Sequence, residues 1–81
     1  MQFITELHIY ESLSLPGVIV VAIPKGNSLF RCWGIRNNTE DILRTLNQLL
    51  TNPNFGWFMS LTDLGALIAV YTIQSHPEYF L

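Results

Sequence analysis

Three observations predict an α+β fold for this chain, an antiparallel sheet covered by an amphipathic helix. The first is an unbroken apolar run, Val18-Ile19-Val20-Val21-Ala22-Ile23, rich in β-branched residues. Such a run without alternation reads as a strand buried on both faces. The second is the helical spacing of Ile42, Leu43, Leu46, Leu49 and Leu50, which forms one apolar stripe. The third is a pair of apolar segments on either side of each of two turn signals, which reads as two hairpins, about four strands in all.

The elements follow in chain order. In residues 3–13, Ile4, Leu7 and Glu11 share a helical face, with Phe3, Tyr10 and Leu13 beside it. Alternation of Phe3, Thr5, Leu7 and Ile9 against Ile4, Glu6, His8 and Tyr10 also permits a strand. The Leu15-Pro16-Gly17 break that follows is a turn signal, and a possible N-terminal helix at 3–13 is the expectation. The strand at 18–23 turns at Pro24-Lys25-Gly26-Asn27 and returns as Ser28 to Ile35. The helix at 39–50 begins behind Asn38, a good cap, with Glu40 and Asp41 in its first turn to suit the helix dipole. Pro53 stops it by forcing Asn52 out of the α region. Residues 55–61 and 66–73 form the second expected hairpin, around Thr62 to Gly65. Residues 1–81 are one domain, and 74–81 are a loose or docked tail.

Composition excludes several function classes. Apolar residues make up 49% of the 81 and charged residues 12%, about half the usual ~25%. Disorder needs the opposite balance. Four Lys and Arg against six Asp and Glu, net −2, form no basic stripe for nucleic acid. The lone Cys32 excludes a disulfide scaffold. The apolar runs are too short for the ~20 residues of a membrane-spanning helix. Residues 1–15 carry Glu6 and Glu11 and no basic residue, unlike a secretory leader. A cytoplasmic location is expected.

Chemistry finds few candidates. His8 and His76 stand at opposite ends with no metal-ligand spacing. Cys32 lies mid-strand beside Phe30 and Trp33, a structural buried thiol with nothing nearby expected to lower its pKa. Ser60, Asp63 and His76 supply triad residue types without a nucleophile elbow or oxyanion turn. Pro24 to Asn27 lacks a phosphate-loop pattern. No catalytic residue, metal or cofactor is therefore expected.

The aromatics carry more information. Clustered aromatic residues with few charges mark the core of protein–protein interfaces. Three segments lack the polar alternation of a half-solvated sheet: 18–23, 55–61 and 66–73. Both sheet faces are therefore expected to be covered, or the sheet edge extended by another chain, a homodimer being the commonest assembly. The expected interface residues are Phe30, Trp57, Phe58 and Tyr71, with Tyr79 and Phe80 in the tail. The reading is a non-catalytic interaction or adaptor module that works as a homo-oligomer. Two alternatives stand beside it: a regulatory domain binding a small apolar or aromatic ligand between sheet and helix, and an inhibitor or immunity-like protein.

Leu15-Pro16-Gly17-Val18, the apolar strand after it, a Gly-containing turn, a strand ending Trp33-Gly34, an amphipathic helix and a further hairpin together resemble the roadblock family of small α/β proteins over roughly residues 3–73. The resemblance implies a dimeric, non-catalytic scaffold that shares a sheet across the dimer and binds a small GTPase or a motor component.

Overall fold

The computed structural model describes residues 4–80. Phe3 and Leu81, the outermost residues of the two terminal expectations, lie outside that range. Five antiparallel strands form one sheet: β1 (Glu6–Ser12), β2 (Val18–Pro24), β3 (Leu29–Arg36), β4 (Trp57–Ser60) and β5 (Leu64–Thr72). One helix, α1 (Thr39–Thr51), connects β3 to β4. The strand order is β4-β3-β2-β1-β5. The α+β class holds, with one strand more than expected.

That extra strand is the N-terminal segment, which is β1 and not a helix. Leu7 and Ile9 point to one face and His8 and Tyr10 to the other, and both faces bury apolar surface. Two-sided burial removes the polar stripe a surface helix would need, and pairing with β2 and β5 satisfies both edges of the strand. The Pro16-Gly17 turn between β1 and β2 uses Gly17 at φ 77°, a conformation that favours glycine.

The expected second hairpin does not form. β4 pairs with β3, and β5 pairs with β1 at the far side of the sheet. Only a one-turn 3-10 segment, Leu61–Asp63, lies between them. Ser60 sits beside Leu29, at the end of the sheet where Pro24 lies, while Leu64 sits beside Ser12 at the other end. In a flat sheet those corners would stand roughly 27 Å apart, counting four strand spacings and about six residues of strand. Four residue steps reach at most about 14 Å. The sheet must therefore coil until its diagonal corners meet, as in a small unclosed barrel.

Coiling explains the missing alternation. Tyr10, Val20, Ala22, Phe30, Cys32 and Leu64 pack together on the concave side, with Met59 against them. These residues come from all five strands. On the convex side Leu7, Val21 and Ile23 pack against Leu46 and Leu49 of α1. The chain thus covers both faces of the central strands from within.

The helix matches its expectation closely. The Asn38 side chain accepts from the Asp41 amide at 2.9 Å and donates to the Asp41 carboxylate at 3.0 Å. That contact, followed by Arg36 and Arg44, holds the Asp41 carboxyl below the usual carboxylate range. At the other end Thr51 is the last helical residue and Asn52 the C-cap, as Pro53 requires. The tail is docked: Pro77–Phe80 form a 3-10 turn whose Tyr79 and Phe80 pack onto the convex cluster.

Candidate interaction surface

The polar groups of the sheet are mutually engaged. On the concave side His8 places Nε2 at 2.7 Å from Glu6 and Nδ1 at 2.9 Å from the Tyr10 hydroxyl. Both ring nitrogens are thereby engaged. The His8 ring also lies against Phe30, with centroids 5.7 Å apart. Burial first, then Cys32 and Glu6, push the Tyr10 phenol up. His8 therefore has no ring nitrogen free for a substrate.

Cys32 is fully buried in the same core. Burial raises its thiol to about 11, so it is neutral at physiological pH and a poor nucleophile. The folded thiol keeps its proton where the unfolded thiol, near 9.0, has lost it. The stability this contributes is complete below about pH 9 and is lost as pH rises toward 11. A maleimide is expected to leave folded protein unlabelled at pH 7 and to label it fully in denaturant. Rapid labelling of the native chain would contradict the burial.

Arg31 is the buried cation. It is 4% exposed and lies on the helix side of β3. Its guanidinium donates to the carbonyls of Asn52 at 3.1 Å and Phe55 at 2.7 Å, and to that of Leu49. These are carbonyls at the end of α1 and in the loop after it, where the helix dipole is negative. Desolvation pulls the Arg31 pKa below its ordinary value. The other three cations lie elsewhere: Arg36 pairs with Asp41, Arg44 with Asp41 and Glu40, and Lys25 is exposed in the turn between β2 and β3. No basic patch results.

The triad candidates are not brought together. Ser60 hydrogen-bonds with Thr62, and His76 with Glu78. Among the described residues no group of three His, Cys, Asp or Glu is placed to hold a metal ion, and no helix is long and apolar enough to cross a membrane. The space between sheet and helix is filled by the convex cluster. A groove of about 360 Å³ lies instead beside the β1–β2 turn, bordered by Glu11, Leu15, Pro16 and Ile68.

What the surface offers is apolar. Eleven large apolar side chains among the described residues stand more than a third exposed. Trp57, at 55%, and Phe58, at 59%, are adjacent on the free edge of β4. Trp57 stacks on Trp33 at 4.5 Å between centroids, and Trp33 on Phe55 at 4.7 Å. Gly56 sets this arrangement. It adopts φ 90° and passes so close to β3 that a Cβ would lie 2.7 Å from the Cys32 carbonyl oxygen.

Of the six expected interface residues, Trp57 and Phe58 are exposed. Phe30 is a correction: it is buried in the concave core against His8 and Tyr10, with ring centroids 5.7 Å apart in each case. Tyr71, Tyr79 and Phe80 are half-buried, and they cover the convex cluster of their own chain. The expectation omitted Leu67, Ile68 and Val70, all exposed on β5. The absence of polar residues from 66–71 was their signal.

Compared with known protein families, curated proteins and solved structures, the chain matches none of them.

Proposed function

We propose that this chain is a small non-catalytic protein–protein interaction module that works as a homo-oligomer. One observation carries the reading: large apolar side chains remain exposed on both edge strands although both faces of the central strands are covered from within the chain. Monomeric proteins rarely leave such strips to water. Native edge strands are usually blunted by charge or proline, and neither β4 nor β5 contains either. Within this reading the Trp57–Phe58 edge is the surface presented to a second protein, and aromatic side chains are common binding anchors. A small GTPase is the second protein that the resemblance to the roadblock family implies, a resemblance now without the further hairpin it drew on, since β4 and β5 do not pair. A cytoplasmic setting suits the unpaired Cys32.

Sedimentation equilibrium tests the reading. A dimer or larger species is expected at micromolar concentration. A 9.3 kDa species persisting to hundreds of micromolar would overturn it.

A further inference from the structure

Of the two free edges, β5 is the longer, with nine residues against four in β4. Its sequence, Leu64-Gly65-Ala66-Leu67-Ile68-Ala69-Val70-Tyr71-Thr72, holds no Lys, Arg, Asp, Glu, His or Pro. One side of the strand is taken by β1. On the other side Thr72 is capped by the Ser75 hydroxyl and the His76 amide, and the strand before it has no neighbouring strand and is flanked by Leu67 at 53% and Ile68 at 51% exposure, with Val70 and Ile73 close behind. Two register shifts against β1 fall in the first part of the strand, and Ala69 to Thr72 continue in regular register with Ile9 to Glu6.

We infer that β5 is the self-association edge, pairing antiparallel with β5 of a second copy about a two-fold axis beside Ala69. This rests on the homo-oligomer reading above and assigns its contact. A second copy fits for three reasons. An uncharged strand selects no charged partner, and antiparallel pairing with itself leaves no like charges opposed. The register places Ile68 against Val70 of the other copy, twice, which is a favourable aliphatic pairing, with small Ala69 at the axis. Leu67, Ile68, Val70 and Ile73, with Leu15 across the groove from Ile68, offer on the order of 400 Å² of apolar surface per copy, about 800 Å² for the pair, and the paired main chain brings the contact toward the roughly 1,000 Å² that a specific interface needs. The contact joins two five-stranded sheets into one and leaves both β4 edges, with Trp57 and Phe58, facing outward for a different protein.

The experiment compares Ile68→Lys and Phe58→Lys with the parent chain by sedimentation equilibrium. Ile68→Lys is expected to raise the dimer dissociation constant at least tenfold while its circular dichroism and melting temperature as a monomer stay native. Phe58→Lys is expected to leave the dimer intact. A second variant, Ala69→Cys, is expected to give a disulfide-linked dimer under mild oxidation, while the buried Cys32 of the parent gives none. A dimer that survives Ile68→Lys but not Phe58→Lys, or an Ala69→Cys chain that stays uncrosslinked although dimeric, overturns the β5 assignment and leaves the homo-oligomer reading standing. A parent chain that is monomeric throughout overturns both.

Discussion

Arg31→Ala is expected to remove about 3–4 kcal/mol of folding stability, the sum of a cavity and of carbonyls stripped of their donors. The side chain crosses from β3 to the end of α1 and holds the Leu49, Asn52 and Phe55 carbonyls together. Without it those acceptors face the convex core with no replacement, and a cavity opens where the buried stem lay. An 81-residue domain has roughly 4–12 kcal/mol in total, so the variant is expected to melt about 15 °C or more below the parent. Arg31→Met separates the two contributions. It keeps most of the volume and none of the donors, and is expected to lose about 2 kcal/mol or more. Urea titration followed by far-ultraviolet circular dichroism reads both. A Met variant as stable as the parent would show that packing alone is at stake, even with Nε of Arg31 unpartnered in the native structure.

Gly56→Ala is the second large effect, about 3 kcal/mol, from a left-handed φ and a clash with main chain. The Cys32 carbonyl oxygen that a Cβ would meet at 2.7 Å belongs to the central part of β3 and cannot retreat. The loop must move instead, which shifts Trp57 off Trp33 and loosens the short β4. Tryptophan fluorescence is therefore expected to change even where the chain stays folded, because two stacked indoles at 4.5 Å separate. A variant with parent stability and an unchanged emission spectrum would mean that Gly56 is replaceable and that β4 is positioned by other contacts.

Both positions show what a one-dimensional reading can and cannot reach. Arg31 shares its strand face with Trp33 and Ile35, and apolar neighbours point to burial. What it caps lies eighteen or more residues away, and nothing in local spacing announces that contact. Gly56 stands two residues after Asn54 and looks like an ordinary loop glycine until β3 is laid beside it. Phe30 fails for the same reason. Its strand and face are legible, but its exposure depends on whether the sheet is flat or coiled. Trp57 and Phe58 were legible as an aromatic pair on a short strand, and their exposure follows because β4 has a neighbour on one side only.

Local physics determined much of this protein from the sequence alone. The β-branched run at 18–23 had to be a doubly buried strand. Asn38, Asp41 and Pro53 bounded a helix whose stripe buries Leu46 and Leu49 beside Ile42, while Leu43 of the expected stripe stays exposed. The scarcity of charge marked strands with little solvated face. Pairing was beyond that reach. Apolar residues in 6–12 and 64–72 fit several partners equally well, because backbone hydrogen bonds do not distinguish one strand from another. The choice between a second hairpin and the β1–β5 ladder was made by the tertiary structure, which coils the sheet and buries Tyr10, Phe30 and Leu64 in one core. That coiling covers both faces of the central strands from within the chain and leaves Trp57, Phe58, Leu67, Ile68 and Val70 exposed on the two edge strands.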